Sequence, residues 1–386
     1  MGEAYIVAAA RTAGGRRNGK LAGWHPADLG AEILNALVSR SGIDPTVIDD
    51  VIVGCVTQAG EQAFAFARNV VLASKLPQSV PAVTIDRQCG SSQQAVQFAA
   101  QAVMSGVQDV VIASGVESMS RVPMFSNMSF HEKAGIGTGP FSQRIKDRFG
   151  VESFSQFAGA EMLAAKYGYD RLALDQFALE SHQRAAHAAN TGAFAQEIIA
   201  LSTEQGTHLV DEGIRFDATL EAIGSVKPLQ DGGIVTAANA SQVCDGASGV
   251  LVVSERALKQ YGLTPLARIV DMTVTAGDPV VMLEEPVFAT RKALKKSGMT
   301  ISDIDLYEVN EAFAPVPLAW LDALEADPER LNANGGAIAL GHPLGASGTK
   351  LLTTLIYALK ARKKRHGLLT MCEGGGISNV TILEVL

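Results

Sequence analysis

The apolar positions of this chain fall into short runs, separated by longer segments in which apolar residues recur with helical spacing. The short apolar runs predict buried strands at residues 3–10, 50–56, 80–85, 109–114, 249–254, 305–309 and 367–372. The segments with helical spacing include residues 26–40, 93–105 and 349–362. Strands that alternate with helices predict an α/β fold with a mostly parallel sheet covered by helices on both faces.

Between residues 117 and about 232 this alternation is interrupted. Loops rich in methionine, serine and glycine are followed by helical stretches at 161–167 and 174–190, with polar turns between them. The strand–helix alternation returns afterwards. We therefore predict that residues 118–234 form an inserted loop domain, that residues 1–117 and 235–262 fold together as one half, and that residues 263–386 form a second half.

The second half repeats the first. Ser41 matches Ser297 and Ile48 matches Ile304, so both pairs have the same offset of 256 positions. Both matches belong to a Ser-Gly pair followed by an Ile-Asp pair. This register predicts two copies of one α/β unit. Because duplicated halves commonly bind ligands at their interface, residues from both copies are expected to meet in one site.

Composition narrows the functional class. The chain has 386 residues, of which 47% are hydrophobic, enough for a large core and two or more domains. A net charge of −8 disfavours a nucleic-acid surface but allows an anionic ligand. No apolar run approaches the length of a membrane span, and the first residues lack the basic start of a secretory signal. The four cysteines are scattered without metal-type spacing, which predicts no metal site and a cytoplasmic location.

Cys89 is the first candidate for chemistry. It follows the predicted buried strand at 80–85 and precedes the helix at 93–105, which Ser91 or Ser92 could cap. At such a position the unpaired N–H groups and the helix dipole favour a thiolate over a thiol. Cys89 is therefore a candidate nucleophile. The alternative is a buried structural cysteine.

Three stretches of the second half offer partners for a nucleophile. Asn310 begins an Asn-Glu-Ala-Phe sequence at the end of a predicted strand, and His342 lies between a glycine and a proline in a glycine-rich loop. Cys372 is followed by glycines at 374–376, whose N–H groups could stabilise an oxyanion. The alternatives are a structural histidine bonded to backbone and a tight turn beside a buried cysteine.

Taken together, these stretches resemble the thiolase family along nearly the whole chain. The stretches that carry the resemblance are residues 8–12, 88–91, 115–120, 239–241, 310–313, 335–348 and 372–376. The resemblance implies a thiolase-like duplicated αβαβα five-layered core with an inserted, CoA-binding loop domain, assembled as a homodimer or homotetramer. It also implies an acetyl-CoA C-acyltransferase. Such an enzyme cleaves 3-oxoacyl-CoA to acetyl-CoA and a shortened acyl-CoA, or runs the reverse Claisen condensation, with coenzyme A as co-substrate and no permanently bound cofactor.

The same resemblance assigns the catalytic roles. Cys89 would carry the acyl group, and His342 would take its proton and help to bind the thioester oxygen. Cys372 would protonate the leaving acetyl-CoA carbanion, or remove the same proton in the condensing direction. Asn310 would hold a water that completes one oxyanion hole with His342. The N–H groups of Cys89 and Gly374 would form the second oxyanion hole.

Substrate-binding residues also follow from the resemblance. Arg215 and Ser241 would contact CoA, and Met282 and Phe313 would border the acyl pocket. The clearest departure from the family pattern is a pair of glutamates at 284–285, where small residues are usual. Either both carboxylates face water, or one faces the acyl pocket and disfavours long apolar and dicarboxylic acyl groups.

Two other functions are compatible with a related fold. A decarboxylating ketosynthase uses a Cys-His-His set, against which Cys372 in its glycine-rich loop argues. A non-catalytic acyl- or sterol-CoA binding protein on the same scaffold would be expected to lose a member of the catalytic set. Cys89, Asn310, His342 and Cys372 are all present, which favours the enzyme.

Overall fold

The structure is a computed structural model that describes residues 2–386. Its strands are β1 Ala4–Thr12, β2 Gly15–Arg16, β3 Asp50–Gly54, β4 Ala82–Ile85, β5 Val110–Ser118, β6 Ile198–Ile199, β7 Leu201–Thr203, β8 Gly206–His208, β9 Cys244–Ser254, β10 Ala267–Ala276, β11 Leu306–Val309, β12 His366–Glu373 and β13 Ile377–Val385. Its helices are α1 Pro26–Ser41, α2 Phe66–Ala73, α3 Ser91–Met104, α4 Ser126–Ala134, α5 Gln143–Phe149, α6 Gln156–Tyr167, α7 Arg171–Asn190, α8 Leu220–Gly224, α9 Glu255–Gln260, α10 Glu285–Ser297, α11 Pro315–Leu324, α12 Ala337–Leu340 and α13 Ser347–Arg362.

The large sheet consists of two half-sheets that meet at a narrow junction. Its strand order is β11-β12-β13-β10-β1-β9-β5-β3-β4, with β2 on β9 and β6 on β1. At the junction, β1 and β10 pair only through Tyr5–Arg268 and Ile6–Ala267. The neighbouring β10 and β13 pair along their whole length, from Ala267–Val385 to Ala276–Ile377. Strands β1, β9, β5, β3 and β4 thus belong to the first half, and β10 to β13 belong to the second.

The sheet is mixed, so the prediction of a mostly parallel sheet was wrong. Strands β3, β4 and β5 are parallel, as are β11 and β12. The long strands β9 and β13 run antiparallel to β5 and β12. In the second half the reason is local, because the glycine-rich turn after β12 reverses the chain directly into β13. A tight connection of this kind joins only antiparallel strands.

The helices complete five layers, as predicted. Helices α3 and α13 pack against each other and against strands of both half-sheets, which makes them the central layer. Helices α1 and α2 cover the outer face of the first half-sheet. Helices α10 and α11 belong to the buried apolar cluster that covers the outer face of the second half-sheet. The αβαβα order buries both faces of each half-sheet.

The predicted duplication is visible in matching helix ends. Helices α1 and α10 both end before a left-handed glycine, Gly42 at φ 69° and Gly298 at φ 72°. Such a conformation favours glycine because no side chain clashes with the backbone. Helices α3 and α13 begin at Ser91 and Ser347, which are also 256 positions apart. The offset found in the sequence therefore relates equivalent elements of the two halves.

Strand β4, which leads towards Cys89, is an edge strand and not a buried one. It pairs only with β3, and Val83 is 46% exposed. An apolar run predicts a strand, but it does not show whether that strand lies inside the sheet or at its edge. The unpaired edge leaves N–H and C=O groups available for pairing with another strand.

The segment between β5 and β9 contains α4 to α8 and the β7–β8 hairpin. Buried ion pairs attach it to β1: Arg11 Nε lies 2.6 Å from Glu197, and Nη1 lies 2.8 Å from Asp211. All three side chains are inaccessible to solvent. A buried guanidinium requires such partners, because desolvation without pairing costs several kcal/mol. The boundaries of the inserted domain stay a prediction. None of the helices in residues 2–386 has the length and apolar character needed to cross a membrane.

Candidate active site

Cys89 lies in the loop between β4 and α3. Gly90 is the residue before the helix, and no side chain caps it, so the predicted serine cap was wrong. Ser91 instead braces the loop: its Oγ accepts a hydrogen bond from Arg87 N at 2.9 Å and donates one to Gln88 O at 2.6 Å. Gln88 has a left-handed backbone with φ 48°. The serine thus holds the sharp bend that presents Cys89.

Burial determines the charge state of Cys89. The side chain is 8% exposed, and its burial, with Glu373 nearby, raises the pKa of the thiol to about 12. The helix dipole was expected to favour a thiolate, and this expectation was wrong. Desolvation disfavours the charged form more than the helix end favours it. At neutral pH Cys89 is a thiol, so a nucleophilic role requires a base within reach.

Glu373 explains why a glycine stands at position 90. A side chain at 90 would bring its Cβ within 1.9 Å of Glu373 Oε1. Neither carboxyl oxygen of Glu373 has a hydrogen-bond partner among residues 2–386, and burial raises the pKa of this group well above its usual range. The cause is the cost of burying a carboxylate that has no partner.

The candidate base is His342. Its ring contacts Asn310 and Ser347: Asn310 Nδ2 donates to Nε2 at 3.3 Å, and Nδ1 is bonded to Ser347 Oγ. The Ser347 hydroxyl donates its own proton to Pro343 O at 2.9 Å. Ser347 Oγ must therefore accept the proton of Nδ1, which leaves Nε2 as the unprotonated nitrogen that accepts the hydrogen bond from Asn310. This tautomer is the one that can accept a proton at Nε2.

The ionisation of these two groups gives a pH prediction. Burial, reinforced by Lys350, lowers the pKa of His342 to about 3. His342 is then neutral, and Cys89 uncharged, throughout the range from pH 5 to 9. We expect kcat/KM to be flat over that range, because neither group changes its protonation there. The measurement is a pH profile of kcat/KM in buffers of constant ionic strength. A limb at pH 6–7 that disappears in His342→Gln would contradict it.

Three buried residues that the sequence analysis did not assign hold the loop that carries His342. The Glu311 carboxylate accepts from Ile338 N at 3.0 Å and Asn332 Nδ2 at 2.9 Å. Glu117 accepts from Gly345 N at 2.8 Å, and Lys350 donates to the carbonyls of residues 340 and 341. Glu117 and Glu311 lie in two of the motifs that carry the resemblance, which was the available signal. Together they fix the histidine loop against both halves.

Cys372 lies at the end of β12 and is 1% exposed. Burial raises its pKa well above the usual range, and Cys89 is the next largest cause. The two cysteines are chain neighbours of Gly90 and Glu373, which are in contact. The turn after β12 has left-handed glycines at 375 and 376, and Gly374 lines a small cavity of about 70 Å³ together with Cys89. Both cysteines and the glycine turn therefore lie in one region of the structure.

A larger cavity of about 480 Å³ opens beside His342. Phe313, Arg215 and Ser241 line it, so three of the four predicted substrate-binding residues lie around one space. Met124, Gln156 and Leu344 line both this cavity and the small one at Cys89. The two cavities are thus adjacent. Together they could hold an extended thioester chain between Arg215 and Cys89. Residues 2–386 contain no cluster of three or more metal-binding side chains.

Met282 and the glutamate pair lie around a different cavity, of about 520 Å³. Glu284 accepts from Lys166 Nζ at 2.6 Å and Tyr167 OH at 2.9 Å. Glu285 packs against Gly277, within 2.2 Å of where a Cβ would lie. Neither glutamate lines the larger cavity beside His342. A role for either carboxylate at the acyl pocket stays a prediction. The role of Met282 at the acyl pocket stays a prediction.

Comparison with known proteins identifies the family. The model of the thiolase N-terminal domain matches residues 4–256, and that of the thiolase C-terminal domain matches residues 263–385. The chain belongs to the thiolase family. A steroid 3-ketoacyl-CoA thiolase from Mycobacterium tuberculosis is 52% identical over 388 residues, covering 100% of this chain and 95% of that protein. A 3-ketoacyl-CoA thiolase from Cronobacter sakazakii is 42% identical over 396 residues, with both chains fully covered.

A solved structure agrees with this assignment. The crystal structure of the Bacillus anthracis acetyl-CoA acetyltransferase superposes with a TM-score of 0.90 at 35% identity, covering 100% of this chain and 99% of that one. This thiolase is therefore an acyltransferase with the duplicated layered fold. The non-catalytic alternative is not favoured, since the two cysteines, the histidine and the asparagine are retained.

Proposed function

We propose that this thiolase cleaves 3-oxoacyl-CoA with coenzyme A, or runs the reverse condensation, through an acyl group carried on Cys89. The observation that supports it most is that an uncharged, buried thiol and a neutral His342 with an unprotonated Nε2 lie on two adjacent cavities. A thiol of pKa about 12 gains nucleophilicity only when a base removes its proton during attack.

In the first half-reaction the sulfur of Cys89 forms a bond to C3 of the substrate, and its proton moves to His342 Nε2. The C2–C3 bond then breaks, and its electron pair stays on C2 of the departing acetyl-CoA. The Cys372 thiol donates its proton to C2. This step leaves an acyl-cysteine, an imidazolium and a Cys372 thiolate, so the net charge is unchanged.

In the second half-reaction coenzyme A releases the acyl group. The Cys372 thiolate removes the proton of the CoA thiol, and the CoA sulfur bonds to the acyl carbon. The bond to Cys89 breaks, and its sulfur recovers the proton from His342. Two thiols with separate tasks are needed, because one must stay acylated while the other handles the carbon acid.

Each half-reaction places negative charge on an oxygen, and two sets of donors are available. Asn310 Oδ1 is buried and accepts no hydrogen bond within residues 2–386, which suits it to hold a water beside His342. Cys89 and Gly374, whose N–H groups form the other set, both line the small cavity. We assign them to the oxygen on the acylated carbon, and the water and His342 to the enolate oxygen.

Arg215 and Ser241 bind CoA in this proposal, and residues 118–234 act as the CoA-binding domain. A guanidinium suits phosphate or the adenine face, and Ser241 is fixed by a hydrogen bond from its N–H to Ala312 O at 2.9 Å. No permanently bound cofactor is needed for these steps. We also propose a cytoplasmic enzyme that forms a homodimer or homotetramer. The exposed edge of β4, next to the Cys89 loop, offers antiparallel pairing with a second copy.

The test is the release of acetyl-CoA from 3-oxoacyl-CoAs of increasing size in the presence of free CoA. Acetoacetyl-CoA, a long straight-chain substrate and a steroid side-chain substrate form the series, since the 52% identical relative is named for steroids. Turnover of any member that is abolished in Cys89→Ala supports the proposal. A correctly folded enzyme that cleaves none of them would contradict it.

A further inference from the structure

Two arginines that no catalytic role uses lie on the wall of the large cavity. Arg16 and Arg17 line it together with Arg215 and His342. Both are exposed, and the Arg16 side chain is 68% accessible. Three guanidinium groups therefore lie on one wall, although the net charge of the whole chain is −8. Such a local cluster attracts a polyanion despite the overall charge.

The turn that carries these arginines is fixed in place. Glu212 Oε2 accepts hydrogen bonds from Arg16 N at 3.1 Å and Lys20 N at 3.0 Å. Asn18, at φ 56°, donates from its backbone N–H to Ser120 Oγ at 2.8 Å. The arginines therefore project from a braced turn and not from a free loop, which reduces the entropy lost when a ligand binds.

The same contacts join the turn to the loop of Arg215. Glu212 lies three residues before Arg215, and its backbone N–H donates to Gly14 O at 2.9 Å. Asp211 accepts from Gly14 N at 2.7 Å and pairs with buried Arg11. Residues 11–20 and 211–215 thus form one rigid wall. The backbone positions of Arg16, Arg17 and Arg215 are therefore held in fixed relation to one another.

The charges on this wall are not balanced by acidic neighbours. Glu212 is the single carboxylate among the residues lining the cavity, and backbone N–H groups already use its Oε2. Arg16 Nε lies 3.8 Å from Glu212 Oε1, a weak contact at a solvated site. Within residues 2–386, Arg17 has no ion pair and no side-chain hydrogen bond. An unpaired guanidinium beside a substrate cavity is suited to a phosphate oxygen.

We propose that Arg17, with Arg16 beside it, binds a phosphate group of coenzyme A. This inference rests on the proposed function, because it takes the cavity to be the entry path of a CoA thioester. CoA carries a 3′-phosphate and a diphosphate, and a guanidinium binds either through the same charge-assisted hydrogen bonds. The turn at 16–20 then supplies a second anion contact besides Arg215.

The experiment compares Arg17→Gln with Arg144→Gln, a matched change of an exposed arginine outside the cavity. Calorimetric titration with CoA is expected to give a Kd about tenfold higher for R17Q, since one charge-assisted contact at a partly solvated site is lost. R144Q should match the wild type. The difference should shrink in 0.5 M salt, because exposed charges are screened.

Dephospho-CoA, which lacks the 3′-phosphate and keeps the diphosphate, shows which of the two groups Arg17 binds. A tenfold loss that persists with dephospho-CoA assigns the diphosphate to Arg17, and a loss confined to CoA assigns the 3′-phosphate. A second readout is the ratio of kcat/KM for acetoacetyl-CoA to that for acetoacetyl-N-acetylcysteamine, which lacks phosphate. This ratio should fall about tenfold in R17Q.

Several results would overturn the inference. They are an R17Q variant that binds CoA like the wild type, equal losses in R17Q and R144Q, and equal losses on both thioesters. A wild-type protein that binds CoA but cleaves no 3-oxoacyl-CoA would instead contradict the proposed function alone. Unfolding midpoints of all variants, measured by circular dichroism, show whether the turn itself has been disturbed.

Discussion

Replacing Cys372 by alanine is expected to stop carbon–carbon cleavage while acetyl transfer from acetyl-CoA to Cys89 continues. The thiol of Cys372 is the proton donor to C2 in the proposed first half-reaction. Acetyl transfer from acetyl-CoA instead expels the CoA thiolate, which is a far better leaving group than a carbanion and can depart without a proton from Cys372. Loss of a general acid–base group lowers the rate by about 100- to 10,000-fold. The measurement is exchange of the acetyl-CoA methyl protons with deuterated solvent, followed by NMR.

A matched control for this variant is Cys55→Ala, which also removes a buried thiol but lies outside both cavities. Proton exchange should continue in C55A. In C372A both the exchange rate and the thiolysis rate should fall. If exchange in C372A ran at the wild-type rate, the base acting on the carbon acid would be another group. Parallel loss of exchange in C55A would point to a packing effect.

Replacing His342 by alanine is expected to lower kcat for thiolysis by at least about 1,000-fold, and to stop acylation of Cys89 as well. The buried thiol would have no group to receive its proton, and its pKa of about 12 leaves very little thiolate at pH 7. This variant should differ from C372A, in which acylation survives. Stopped-flow acylation by acetyl-CoA and steady-state thiolysis measure the two steps separately.

His208→Ala serves as the control, because His208 is another buried histidine whose ring contacts a carbonyl, that of Ala13, at 3.0 Å. Turnover per folded molecule should be retained in H208A. The proposed role of His342 would be contradicted if H342A acylated Cys89 as fast as the wild type. Recovery of the H342A rate at pH 10 would support it, since a rising thiolate fraction replaces the missing base.

The duplication could be predicted from the sequence because it depends on repeated local patterns, whereas the five layers followed from the resemblance to the thiolase family. The Ser-Gly helix ends at 41–42 and 297–298 recur at a fixed offset, and both glycines have the left-handed backbone that ends a helix. Strand direction could not be predicted in the same way. The antiparallel course of β9 depends on what it pairs with, β1 on one side and β5 on the other.

The site residues that carry the resemblance meet in space, but their ionisation could not be predicted from local sequence. The sequence around Cys89 indicates a helix end, which favours a thiolate. The actual pKa of about 12 comes from burial and from Glu373, which lies 284 positions away along the chain. The contacts of Glu284 could not be predicted either, since its partner Lys166 is 118 positions away. Burial and long-range pairs arise only from the tertiary fold.

The central claim, that Cys89 carries the acyl group, is tested most directly by intact-mass analysis of the enzyme after acetoacetyl-CoA is added without free CoA. The predicted result is an acetyl adduct that peptide mapping assigns to Cys89 and that is lost when free CoA is supplied. An adduct located on Cys372, or one that persists on another thiol in Cys89→Ser, would contradict it.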